Sequence, residues 1–265
     1  MTTWVTTAVS HRPRTPAWQR PRAIRWAIIV ALVALIEAIA RLGYVAPTTL
    51  VAPSEMIARL VEIVPTATFA SDLGRTLFTI TVAFAIGVLG GVPLGVLFWR
   101  VPAVGRVLEP FVVTGYAMPT LVFYPVLLAV MGLNAWPIIV IAASMALIPI
   151  ALTTMVGLNS VKPVLHKLAK ASNASTTQYY RKILLPAATP LVFPGLKLGF
   201  IYSIIGTIAM EFILAAHGIG FRAGFHYREF ETGHMYAYIL VVIMLSVVVN
   251  GALTWVESRI RRDML

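Results

Sequence analysis

The chain has no cysteine, which removes disulfide frameworks and thiolate metal sites from consideration. It is also short of charge: charged residues are 12% of the 265 positions and hydrophobic residues 59%, where a soluble domain carries about 25% charged. That balance excludes a water-soluble fold. Acidic side chains are the scarcer sign, ten against 21 Lys and Arg. There is no G-x-x-x-x-G-K-[ST] phosphate loop, no G-x-S-x-G elbow, no H-E-x-x-H pair and no paired-carboxylate arrangement. The chain is accordingly read as no enzyme, with no cofactor, and any ATP hydrolysis coupled to it must sit in a separate subunit. The five histidines lack ligand-like helical spacing apart from a loose group between His217 and His234, which reads as polar loop, so no metal site is expected.

What is present is a succession of long apolar runs. The expected architecture is all-α and integral to the lipid bilayer, with about six spans near residues 24–44, 77–99, 110–132, 136–157, 191–214 and 236–256. Residues 1–23, with Arg12, Arg14, Arg20 and Arg22 among prolines, read as a disordered basic tail ahead of a membrane domain over 24–265. The first run could be a signal peptide, since Ala38-Ile39-Ala40 mimics a cleavage site. Glu37 interrupts the apolar segment there, and a retained span is preferred. Ala52 to Arg75 reads as an interfacial helix leading to the second span. No charge occurs from Pro110 to Val161, long enough for two crossings of about 20 residues, with turn chemistry only at Gly132-Leu133-Asn134-Ala135-Trp136-Pro137.

The basic residues fall in short segments between the runs, the distribution of topology signals rather than of a nucleic-acid face. With the N-terminus inside, 16 Lys and Arg lie on the cytoplasmic side and 5 outside. Both termini are therefore expected in the cytoplasm, as is the polar island at 162–190. Trp26, Trp99 and Trp255 at inner ends and Trp136 at an outer one suit the preference of indoles for interfaces.

The stretch that holds this island, from Lys162 to Gly199, begins with a short amphipathic helix, Val164 to Ser172, with Leu165, Leu168 and Ala169 (or Ser172) on one face. Asn173 tolerates the left-handed backbone that ends a helix. Ser175 or Thr176 can cap a second helix through Tyr179, Arg181 and Ile183, with Pro186 and Pro190 stopping it before the next span. The expected product is a helix, an elbow and a helix.

This stretch resembles the cytoplasmic EAA coupling loop of ABC importer permeases. Lys167 falls where that pattern has Glu, Ala169 at its Ala, Asn173 at its Gly, and Leu185-Pro186 at its Leu-Pro, so the spacing fits while two signature residues depart. Flanking words, GLNSVKP (157–163), PGLKLG (194–199), Glu211 followed by GIG (218–220), APSE (52–55), GVPLG (91–95) and LEP (108–110), resemble the nitrate, sulfonate and taurine branch from Glu37 onward. The resemblance implies the type I ABC importer permease fold in the inner membrane of a prokaryote. It also implies a second permease subunit, a homodimer by preference, two cytoplasmic ATPases docked on the loops, and an extracytoplasmic binding protein. The substrate would be a small organic or inorganic anion such as a sulfonate, taurine or nitrate; a pyrimidine precursor of thiamine or an aromatic acid is the alternative. A secondary transporter driven by an ion gradient is the other reading, and spans 2, 3 and 4 contain no ionisable pairs to couple it.

By the same resemblance, contact with the ATPase would fall on Lys167, Ala169, Lys170, Asn173, Ala174, Ser175, Tyr179, Arg181, Leu185 and Pro186. Candidates for the translocation pathway come from two spans. Gly195, Gly199, Ser203, Thr207 and Glu211, at four-residue steps, form one stripe on span 5. It serves either close helix packing or a dimer axis or wet pathway. Glu211 could also be an ion-pair partner of Arg222 or Arg75. Tyr116, Thr120 and Tyr124 form a similar stripe on span 3 between prolines, which mark either a packing kink or a cavity wall.

Overall fold

The structure is a computed structural model that describes residues 19–262, the side chains of 19–22, 116–117 and 260–262 lying outside the description with both chain ends. Two units are distinguished, residues 1–55 and 56–265.

The first unit holds α1 (Gln19–Arg41). The expected tail lies mostly outside the described residues, but its last part is helical rather than disordered. α1 ends at Arg41, before a left-handed Gly43 (φ 74°), rather than at Tyr44. Glu37 and Arg41 pair, and Glu37 also accepts from the Ser54 amide (3.0 Å) and hydroxyl (2.6 Å), so the acid that interrupts the apolar run is fully hydrogen-bonded. α2 (Pro53–Ile63) begins at the end of this unit and continues into the second.

The second unit is organised around α6 (Trp136–Asn159), which is apolar on every face and has Ile139, Ala142, Ala146, Ile150 and Ala151 fully buried. α3 (Ala67–Arg100) and α9 (Leu185–Leu214) pack against it. Helices gain little from hydrophobic burial in lipid, so association depends on close backbone approach. A Cβ at Gly91 of α3 would stand 2.7 Å from the Leu147 carbonyl oxygen, and one at Gly195 of α9 would overlap Thr153. The small-residue spacings in both spans are thus packing surfaces.

Three expectations change. α3 starts at Ala67, where the Thr66 hydroxyl accepts the Phe69 N–H, so Asp72 and Arg75 lie inside a span-length helix instead of before it. Asp72 of α3 pairs with Arg222, which lies outside that span on the helix after α9. The third span is not one helix: α4 (Pro102–Ala117) gives way to an extended Met118, a 3₁₀ turn at Thr120–Phe123 and α5 (Tyr124–Met131), with a bend of 84°. Pro119 denies the residue before it the helical region, so the four-residue stripe of Tyr116, Thr120 and Tyr124 does not exist as a helical face. After α7 (Pro163–Ala171), α8 (Thr176–Gln178) runs through a π-helical segment, Tyr179–Leu184, straight into α9. Pro186 and Pro190 do not stop it. The Leu185 N–H reaches the Tyr180 carbonyl five residues back, and Pro186 enters at a position whose missing donor the wider turn accommodates. α10 (Ile219–Arg228) and α11 (Thr232–Arg262) complete the chain. Among the described residues five helices are long and apolar enough to cross a membrane, six if the bent pair counts as one span.

Candidate functional site

Two sites lie at opposite ends of α3. At its C-terminal end is the elbow. α7 closes with the Ala174 N–H on the Ala169 carbonyl (3.0 Å) and the Asn173 N–H on that of Lys170 (3.1 Å). Asn173 is left-handed, φ 49°. Ser175 then makes a full capping box: its hydroxyl accepts the Gln178 N–H (3.3 Å), and its own N–H donates to the Gln178 side chain (2.9 Å). The apolar face of α7 is narrower than expected, Ala169 buried and Leu165 half-buried, while Leu168 is exposed. Leu158, Val161, Leu184 and Ala188 form the small core beneath it.

The elbow is braced by three residues that sequence reasoning did not single out for this role. Tyr180 receives the Arg100 guanidinium, which donates to its hydroxyl (Nε, 3.1 Å) and lies 5.2 Å from its ring centroid. His166 Nδ1 meets the Tyr179 hydroxyl at 2.7 Å. These aromatics, with Ala169, Lys170, Ala174 and Thr176, line an open cavity of about 480 Å³. Lys167, Lys170 and Arg181 are exposed and make no ion pair among the described residues. Asn173, Ser175, Leu185 and Pro186 are exposed too, and Ala174 and Tyr179 half-buried. The result is a basic rim around an aromatic floor.

At the other end of α3, Asp72, Thr76 and Glu211 are buried together. The turn Gly218-Ile219-Gly220 that starts α10 presents three successive amides to them. Gly218 N–H donates to Asp72 Oδ1 (2.9 Å), Ile219 N–H to the Thr76 hydroxyl (2.9 Å) and Gly220 N–H to Glu211 Oε2 (3.0 Å). Helix-initial amides have no intrahelical acceptor, and two carboxylates here meet that need while complementing the helix dipole. Arg222 Nε donates to Asp72 Oδ2 at 2.6 Å, so the expected ion pair of Arg222 is with Asp72 and not Glu211. The sequence signal for this latch is Asp72-x-x-x-Thr76 on one helical face.

Beside the latch, Glu211 and Tyr124 meet in a cavity of about 450 Å³ with Arg75, Thr79, Asn134 and His217. The Tyr124 hydroxyl donates to the Leu214 carbonyl (3.3 Å). Arg75 makes no ion pair among the described residues, and neither it nor His217 was expected to line a pathway. Thr120 lines a separate cavity of about 250 Å³ with Met145 and Tyr202. Ser203 and Thr207 are fully buried and line neither cavity; Ser203 donates to the Gly199 carbonyl (3.0 Å). Of the pathway candidates the structure unites only Tyr124 and Glu211, and the side chain of Tyr116 is outside the described residues.

The chain is similar to known proteins in sequence and in fold. The chain is 25% identical to the nitrate import permease protein NrtB of Leptolyngbya laminosa over 72% of its length and 69% of the relative's. It is 26% identical to the taurine transport system permease protein TauC of Escherichia coli K12, over 73% and 70%. Among solved structures, a chain of the MetNI methionine ABC transporter superposes with a TM-score of 0.61 at 21% identity, covering 74% of this chain and 95% of that one. The fold is that of the type I ABC importer permeases. Residues 83–262 match the family described as binding-protein-dependent transport system inner membrane component, and the chain belongs to that family as the membrane permease component of an ABC importer.

Proposed function

We propose that this permease carries a small anion, of the sulfonate, taurine or nitrate kind, along a pathway that begins at the cavity of Arg75 and His217. The observation that carries this reading is Arg75: a guanidinium with no carboxylate partner among the described residues, lining a cavity of about 450 Å³. Glu211 lines the same cavity, but its oxygens are engaged by Thr76 and Gly220. The nitrate and taurine permeases among its relatives support the substrate class. In this reading the cavity end faces outward and meets an extracytoplasmic binding protein, and both termini and the elbow are cytoplasmic. Two permease subunits, identical by preference, pair across the pathway. Two ATPases dock on the elbows, touching the basic rim of Lys167, Lys170 and Arg181 and the surface from Ala169 to Pro186.

The two ends communicate through α3 itself. Thr76 and Arg100 lie 24 positions apart on it, roughly 36 Å at the rise of an α-helix. Movement of the elbow through Arg100 and Tyr180 would therefore tilt the helix that holds the latch.

The test is ATP-driven uptake of taurine and of nitrate in vesicles holding the whole transporter. Arg75→Gln should reduce uptake of the cognate anion about tenfold or more, and Arg75→Lys should restore part of it. Full uptake by Arg75→Gln, with ATPase stimulation intact, would overturn the anion reading.

A further inference from the structure

We propose that His226, Glu231 and His234 form a divalent transition-metal site that clamps the start of α11 to the end of α10. The three lie in different local settings: His226 in the last turn of α10, Glu231 in the connection, His234 in the first turn of α11. Their spacings of five and three residues do not fall on one helix, because the chain reverses between them. Their donor atoms nevertheless lie within 4.8 Å of one another. Both imidazoles turn Nδ1 toward the same carboxylate oxygen, Glu231 Oε2, at 2.7 Å from His226 and 3.5 Å from His234. The rings stack at 5.1 Å with 28° between their planes, and Tyr238 stacks on the outer face of the pair through His226 at 5.6 Å.

The backbone holds this convergence at a cost. Phe230, an aromatic residue, is left-handed (φ 59°) and 79% exposed, so no burial of its ring accounts for the conformation. Left-handed geometry costs an L-residue roughly 1–2 kcal/mol. It closes α10 in the Schellman pattern, with the Glu231 N–H on the His226 carbonyl (2.9 Å) and the Phe230 N–H on that of Tyr227 (3.2 Å), and so sets Glu231 immediately after the helix.

Two neutral imidazoles and one carboxylate suit zinc, cobalt, nickel or copper rather than magnesium or calcium. Ligand bonds of about 2.0–2.2 Å around a tetrahedral ion separate neighbouring donors by roughly 3.3 Å; the carboxylate oxygen stands 2.7 and 3.5 Å from the two imidazole nitrogens, and all three donors fall within 4.8 Å. The side chains are partly exposed, 16% for His226, 32% for His234 and 53% for Glu231, which leaves a way in and a fourth position for water. Arg222, one turn earlier on α10, would oppose a cation, but its charge is met by Asp72. A metal here would fix the C-terminal end of α10, the helix whose first-turn amides at the opposite end serve the latch.

The probe is zinc, added to the full chain purified in lipid nanodiscs with an affinity tag that contains no histidine. The absence of cysteine removes competing thiolates. The expected result is one zinc per chain by elemental analysis and a rise in unfolding temperature on zinc addition that magnesium does not produce. Glu231→Gln and His234→Asn should each weaken zinc binding at least as much as loss of an outer-sphere partner does, roughly 10–100-fold, while His217→Ala leaves it unchanged. Zinc retention by the His226→Ala/His234→Ala double variant equal to wild type would overturn the proposal. So would the absence of bound zinc in wild type, leaving the cluster as imidazoles hydrogen-bonded to a carboxylate.

Discussion

The Thr76 hydroxyl stands 3.0 and 2.9 Å from the two oxygens of the Glu211 carboxylate and at the same time accepts the Ile219 N–H at 2.9 Å. One small side chain on α3 thereby joins α9 to the first turn of α10. Replacing it with valine keeps the shape and leaves a buried carboxylate and a helix-initial amide each short of a partner. Thr76→Val should cost about 1–3 kcal/mol, and Thr76→Ser much less. Denaturation midpoints of the purified variants decide this, and a Thr76→Val protein as stable as wild type would remove the latch from the account.

Gly218 has a second, steric role in that latch. Its φ is 107°, and a Cβ there would run into the Glu211 carboxylate. Gly218→Ala should therefore destabilise by more than the roughly 1–2 kcal/mol that left-handed geometry alone costs an L-residue. Gly251→Ala, where a Cβ meets open space, is the control and should sit within about 0.5 kcal/mol of wild type or slightly above it. Equal midpoints for the two variants would contradict the packing described.

How much of this was legible in the sequence depended on whether the deciding signal was local. The left-handed turn at Asn173 and the cap at Ser175 follow from residue chemistry within a few positions, and both stand in the structure. α6 begins at Trp136 as expected, where Trp136-Pro137 marks the start plainly, and runs to Asn159, two residues past the expected limit. The start of α3 falls inside the stretch that reads as an interfacial helix, because Asp72 and Arg75 look like interfacial residues until their distant surroundings are known: Gly218 and Arg222 for the first, the cavity for the second. Pro186 and Pro190 looked like stops because a regular helix would end there, whereas the π segment before them changes which donors are needed. The His226, Glu231 and His234 cluster escaped a search for helical spacing because a left-handed Phe230 sets its geometry.

Lys167 carries the charge opposite to that expected at its position in a coupling loop. It is exposed and without an ion pair among the described residues, so its charge is available to a partner. Like charges facing each other across an interface cost several kcal/mol, roughly, so the matching ATPase should offer an acidic or neutral residue there. Lys167→Glu should then weaken assembly with the native ATPase, measured as the salt-dependent affinity of the reconstituted complex. Tighter assembly for the variant would mean that the reversed charge is not matched by its partner.

The central claim is that the shape of the elbow, set by left-handed Asn173, transmits ATPase closure to the spans. Glycine adopts φ 49° freely, whereas a β-branched residue is strongly disfavoured there. The direct measurement is substrate taken up per ATP hydrolysed in vesicles containing the complete transporter, comparing Asn173→Gly with Asn173→Val at equal amounts of assembled complex. The account predicts wild-type coupling for the glycine variant and a several-fold loss for the valine variant. Equal coupling in the two would contradict it.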